Sequence, residues 1–221
     1  MGKCNKYKEK ENKLLINHIY YPVKTLGFRN RIGIWFQGCS IHCPGCMSKY
    51  TWAFDPKYSV SYNYVSKKLS DYKRFKPYGI TISGGEPFDQ PLGLFKVLEI
   101  CKQLKYKEIM VYSGYTFIYL YQNYSKIISM IDLLITEPFI ESLPTNKIWR
   151  GSDNQKIYLI SKQAKRRYKD KNLDSTLHNG DLTIQIEISD NSLFIIGIPK
   201  RGDLGRLEKI LKDKGVKIWV K

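Results

Sequence analysis

An α/β fold built on a mostly parallel sheet is what this 221-residue sequence predicts. Short β-rich runs alternate with longer stretches whose apolar residues recur at helical spacing. That alternation calls for parallel strands joined by right-handed crossovers. The candidate strands also end on turns rich in Gly, Ser or Cys, where sheets of this kind gather their functional groups.

In order along the chain, residues 1–13 read as a disordered basic lead. Strands are predicted at 14–22 and 32–36, the second running directly into a cysteine loop. A helix is predicted over 58–74, from the spacing of Val60, Tyr64, Val65 and Leu69. A strand at 79–83 is halted by Gly84 and Gly85, and a helix at 92–105 presents Leu94, Phe95, Leu98 and Cys101 as one stripe. Then follow a strand at 108–112, a helix at 117–129 and a strand at 131–136. Beyond residue 160 the composition changes: 161–179 is polar and basic, a loop or local helix. Strands at 183–188 and 193–198 flank the turn Ser189-Asp190-Asn191-Ser192. A helix at 204–214, with Leu204, Leu207, Ile210 and Leu211 on one face, and a strand at 216–220 complete a small ββαβ unit. The expected organisation is therefore a lead (1–13), a core (14–160) and a C-terminal extension (161–221).

Composition narrows the class. Hydrophobic content of 43% and aromatic content of 14% suit a globular core, and no apolar run is long enough to span a bilayer. Five cysteines, three of them clustered, argue against a secreted disulfide scaffold and for a reducing cytoplasm. A net charge of +17 invites a nucleic-acid reading, but the basic residues are spread along the chain with only short knots such as 162–171. A solvated surface is expected ahead of a dedicated nucleic-acid groove, and no membrane partner is expected.

The chemistry-bearing feature is Cys39-x3-Cys43-x2-Cys46, three thiols in eight residues with no fourth nearby. A cubane 4Fe-4S cluster normally takes four thiolates, so three leave one iron free for a small molecule. Zinc, with His42 as fourth ligand, is the competing reading. Against it, His42 adjoins Cys43, and neighbours on an extended backbone point apart. One βα unit later comes Thr81-Ile82-Ser83-Gly84-Gly85-Glu86-Pro87-Phe88-Asp89-Gln90. Two glycines at a strand end admit close approach, and Glu86 offers a carboxylate to a cation such as an ammonium.

Together, the cysteine spacing and the Gly-Gly-Glu-Pro turn resemble the radical S-adenosylmethionine superfamily. More narrowly, six segments in order resemble the activating proteins of anaerobic ribonucleoside-triphosphate reductase. They are Trp35-Phe36-Gln37-Gly38-Cys39, Cys43-Pro44-Gly45-Cys46, Thr51-Trp52-Ala53-Phe54, Ser83 through Gln90, Tyr112-Ser113-Gly114-Tyr115 and Trp149-Arg150-Gly151-Ser152-Asp153-Asn154-Gln155. The resemblance implies a partial (β/α) barrel of radical S-adenosylmethionine type. It implies that Cys39, Cys43 and Cys46 ligate three irons and that S-adenosylmethionine chelates the fourth. Gly84, Gly85 and Glu86 would then line the methionine end, and Ser113 would touch the cofactor. Reductive cleavage would give a 5′-deoxyadenosyl radical that takes a glycine Cα hydrogen from a partner glycyl-radical enzyme. A one-electron donor such as flavodoxin or ferredoxin is implied as a second partner. A radical enzyme that modifies a peptide, and a non-catalytic basic iron–sulfur protein that binds nucleic acid, are the alternatives. Asp132, Glu137 and Glu141 are further carboxylates near the last strand of the core. Where the family pattern has Asp-Gly before Pro-Phe, this chain has Thr136-Glu137.

Overall fold

A computed structural model describes residues 13–177, 181–189, 192–200 and 202–215. Seven strands form one sheet: β1 (Lys13–Val23), β2 (Arg31–Phe36), β3 (Ser59–Ser61), β4 (Gly79–Gly84), β5 (Ile109–Tyr112), β6 (Leu133–Thr136) and β7 (Lys156–Leu159). Their order across the sheet is β3-β1-β2-β4-β5-β6-β7. The centre, β2-β4-β5-β6, is parallel, and the flanks β1, β3 and β7 pair antiparallel. Crossovers run through α1 (Tyr62–Tyr72), α2 (Pro91–Gln103) and α3 (Phe117–Ile128).

Side-chain alternation assigns the two faces of the sheet. Ile32, Ile34 and Phe36 of β2 join Ile80, Ile82, Ile109, Val111 and Leu134 in the main core, against Val65 and Leu69 of α1 and Leu94, Val97 and Leu98 of α2. Arg31, Gly33 and Trp35 point to the opposite face. A Cβ at Gly33 would stand 2.3 Å from the Trp35 ring, so the missing side chain lets the indole lie across β2. At the strands' N-terminal ends Arg31 is fully buried: it donates to Glu108 (2.6 Å), Thr81 Oγ1 (2.7 Å) and the Ile80 carbonyl (2.7 Å). Glu108 also accepts from Arg167 and from the Tyr168 hydroxyl, which ties α4 (Lys162–Arg167) to the sheet.

Several boundaries differ from those read in the sequence. The first helix begins at Tyr62, because Ser61 caps it by accepting from the Tyr64 amide, and 59–61 pairs with β1. Val60 therefore belongs to a strand. β7 was not predicted; four residues without strict alternation give little periodic signal. Beyond β7, β8 (Ile184–Ser189) and β9 (Ser192–Gly197) form a hairpin, followed by α5 (Asp203–Asp213). The predicted strand at 216–220 and residues 1–12 of the lead lie outside the described residues. No helix among the described residues is long and apolar enough to cross a membrane.

Candidate active site

The cysteine loop is closed at its stem. Gly38 and Cys39 donate their amides to the carbonyls of Thr51 (2.7 Å) and Trp52 (2.9 Å). Gln37 reinforces the closure from below, donating to the Ala53 carbonyl at 2.6 Å. Gly38 has φ +102°, and the Phe54 ring occupies the place where its Cβ would be. Within the loop Cys46 donates to the Cys43 carbonyl (3.1 Å) across Pro44-Gly45, the predicted sharp turn.

The three thiols differ in exposure. Cys39 is 8% exposed, whereas Cys43 and Cys46 are partly exposed. Burial pushes the Cys39 thiol up to about 11, against the pull of the His42 and Ile41 amides directed at its sulfur. Burial also raises Cys43, opposed by the Phe139 amide. A thiolate here is poorly solvated and needs a positive centre, and amides facing sulfur are the hydrogen bonds that tune iron–sulfur sites. Among the described residues no three His, Cys, Asp or Glu side chains converge on a position for one metal ion. His42, the candidate zinc ligand, instead stacks on Trp52 with ring centroids 4.6 Å apart. A cubane asks something different of its donors, since each thiolate takes its own iron. Three sulfurs spread over one closed loop, with amides turned inward, fit that group.

The Gly-Gly-Glu turn docks directly on this stem. Gly85 donates to the Phe36 carbonyl (2.8 Å) and Glu86 to the Gly38 carbonyl (2.9 Å). A Cβ at Gly84 would fall 2.4 Å from the Phe36 nitrogen, and one at Gly85 would fall 2.0 Å from the Gly38 oxygen. The room these glycines leave is thus taken by the backbone that leads into the cysteines. Glu86 is 1% exposed, and its carboxylate joins the loop after β4 to the loop after β5. Oε1 accepts from the Phe88 amide (3.0 Å) and the Ser113 hydroxyl (2.9 Å), and Oε2 from the Gly114 amide (2.7 Å). Burial raises this carboxyl to about 8, against those three donors. Ser113, expected at the cofactor, spends its hydroxyl proton on Glu86.

Other residues that sequence reasoning passed over also hold the site. Asp89 accepts from the Ser40 amide (2.6 Å), the Ser40 hydroxyl (3.0 Å) and the Tyr115 hydroxyl (2.7 Å), locking the cysteine loop to the loops after β4 and β5. Gln90 pairs with the backbone of Leu15 and donates to the Gln37 carbonyl at 2.9 Å. Both lie in the Phe88-Asp89-Gln90 end of the motif, which was the available signal. Asp132 faces away from this rim: it accepts from the Ile109 amide (2.8 Å) and the Ser161 hydroxyl. The carboxylate of Glu141 lies over Gly45, where a Cβ would come within 2.7 Å of it. Glu137 has φ +82°, a left-handed conformation that favours the glycine found there in the family pattern.

An open cavity of about 1410 Å³ runs along the inner face of the sheet. Trp35, Cys46, Ser83 and Tyr112 line one side; residues of the loop after β6, among them Trp149, Arg150, Gly151 and Gln155, line another. Of the predicted site residues, Cys46 borders it, while Glu86 and Ser113 are packed behind. The Tyr112 hydroxyl and Arg150 Nε, both in lining residues, are buried without a protein partner.

Comparison with known proteins identifies the family. Residues 25–158 match the family described as a 4Fe-4S single cluster domain. The anaerobic ribonucleoside-triphosphate reductase-activating protein of Vibrio cholerae is 32% identical over 149 residues, covering 64% of this chain and 96% of that protein. Its Escherichia coli K12 counterpart is 31% identical over 150 residues, with the same coverage. The protein of that name from Enterobacteria phage T4 is 28% identical over 132 residues, covering 58% and 83%. The crystal structure of QueE from Escherichia coli superposes with a TM-score of only 0.38, at 17% identity and over 46% of this chain and 53% of that one. Matched along nearly the whole length of such relatives, the chain belongs to the 4Fe-4S single cluster domain family and to the family of anaerobic ribonucleoside-triphosphate reductase-activating proteins.

Proposed function

We propose that this protein is a radical S-adenosylmethionine enzyme that installs a glycyl radical on an anaerobic ribonucleoside-triphosphate reductase. The observation that carries the reading is the direct seating of the Gly84-Gly85-Glu86 turn on the stem of the three-cysteine loop, through Gly85 to Phe36 and Glu86 to Gly38. Cys39, Cys43 and Cys46 would hold a 4Fe-4S cluster, which, once reduced by an external one-electron donor, would supply the electron chemistry for S-adenosylmethionine cleavage. The chain's own contribution is position and shelter. Gly38 and Cys39, pinned to Thr51 and Trp52, fix where the first thiol stands. Glu86 holds the ends of β4 and β5 at one height, so groups presented by Ser83 and Tyr112 face the same cavity. Trp35 and Tyr112 present aromatic side chains to that cavity beside Cys46. The core unit of 14–160 wraps these parts as a partial barrel, and residues beyond 160 pack onto it, with Arg167 and Tyr168 on Glu108.

The test is anaerobic reconstitution with iron and sulfide, followed by reductant, S-adenosylmethionine and the reductase. Release of 5′-deoxyadenosine and a carbon-centred doublet on the reductase in electron paramagnetic resonance are expected. Cys43→Ala should lose the cluster's visible absorbance and both products. Turnover retained in that variant, or no 5′-deoxyadenosine from the wild type, refutes the proposal.

A further inference from the structure

The family match ends at residue 158, yet the residues beyond it return to the cavity. The β8–β9 hairpin is bound to β1. His18 meets Glu187 at 2.9 Å, and Gln185 accepts from the Lys24 amide (3.1 Å) and donates to the Pro22 carbonyl (2.6 Å). Ile196 is 1% exposed, packed with Val23, Leu26 and Trp35. Phe194 stands edge-on to Trp35 at 5.3 Å and reaches Tyr50 of the cysteine loop at 6.0 Å. Ile195, Gly197, Ile198, Lys200 and Leu204 then line the cavity opposite Cys46 and Ser83. The extension is thus one wall of the chamber that the thiol loop opens into.

Size and charge indicate what the chamber takes. Small-molecule sites occupy roughly 300–1,000 Å³; at about 1410 Å³ this one leaves room beyond a cofactor for a length of polypeptide. Lys24, Arg29, Lys147 and Lys200 line it against Glu141 and Asp181. Among the described residues, neither Lys24 nor Lys200 is in an ion pair, and the two lie on opposite partners, Lys24 after β1 and Lys200 after β9. A basic mouth draws in an anionic guest and rejects a basic one.

We propose that the described residues of the β8–β9 hairpin and the start of α5 (181–189, 192–200 and 202–205) are the recognition wall of this cavity, selecting the partner's glycine-bearing segment as an extended polypeptide flanked by acidic residues. The inference rests on the function proposed above and names the element that chooses the substrate. Its test is binding of the full-length, cluster-loaded protein to the immobilised reductase under anoxia, read without any turnover. The double variant Lys24→Glu/Lys200→Glu should bind at least tenfold more weakly, and Lys24→Arg/Lys200→Arg should stay within twofold of the wild type. Binding of the wild type should also loosen as salt rises. In the reductase, neutralising acidic residues beside the glycine should mimic the charge reversal. Charge-reversed protein that binds within twofold of the wild type overturns the assignment, as does a wild type that does not bind the reductase. Release of 5′-deoxyadenosine by the same wild-type preparation, without reductase, tests the reaction separately, so the two failures are told apart.

Discussion

Replacing Glu86 by Gln should convert a pH-dependent cost of folding into a constant one. In the folded chain burial raises this carboxyl from 4.5 to about 8. Below pH ~4.5 both folded and unfolded chains hold the proton, and the group imposes no penalty. As pH rises above that, the unfolded chain releases its proton while the folded one keeps it. Stability therefore falls by ~1.4 kcal/mol per pH unit, to a total of ~5 kcal/mol above about pH 8. Glutamine carries no such slope. Its amide NH2 must face at least one of the donors that now reach the carboxylate, from Phe88, Ser113 and Gly114, at roughly 1–3 kcal/mol for an unsatisfied buried group. Glu86→Gln should thus be less stable than the wild type near pH 5, equal it at about pH 6 and surpass it by pH 8. Urea denaturation of the reduced, metal-free proteins across that range measures the difference, with the cysteine titrations common to both. A difference that stays constant with pH would refute the argument that burial governs this carboxyl.

Two further substitutions probe the frame. Glu137→Gly should raise stability by up to ~1 kcal/mol, because φ +82° strains any residue with a side chain; a lower midpoint in the same denaturation assay would show that the glutamate is held by contacts worth more than the strain. Glu108→Gln should cost ~3–5 kcal/mol by leaving Arg31, 0% exposed, without its counter-charge. Iron content after reconstitution should be unchanged in that variant, since the pair lies at the strand ends far from the cysteines; a loss of iron with no loss of stability would contradict this.

Much of the fold could be read from the chain because its signals are local. Ile32, Ile34 and Phe36 alternate with Arg31, Gly33 and Trp35, and the stripe of Leu94, Leu98 and Cys101 has the period of the helix it forms. Where the reading fell short, the deciding interaction is non-local. β7 exists because 156–159 pairs with β6, and 59–61 is a strand because it pairs with β1. The same holds at the site. The cysteine spacing announces its chemistry, and the glycines announce close approach, but not what approaches: here it is the Phe36 and Gly38 backbone. Likewise Glu86 reads as a ligand for a cation, and only the folded chain brings Ser113 and Gly114 onto it, 27 and 28 residues away. Glu137 is the reverse case. A departure from the family pattern pointed to a backbone problem, and the left-handed φ is that problem made visible.

The buried web of Arg31, Thr81, Glu108, Arg167 and Tyr168 sits at one end of the strands, and the thiols sit at the other. Robustness and reactivity are thereby housed apart. A change in the loops near the sulfur atoms therefore need not disturb the anchorage at the far ends of the strands. Such a layout makes a change of client protein an evolutionary step that need not first survive a crisis of folding.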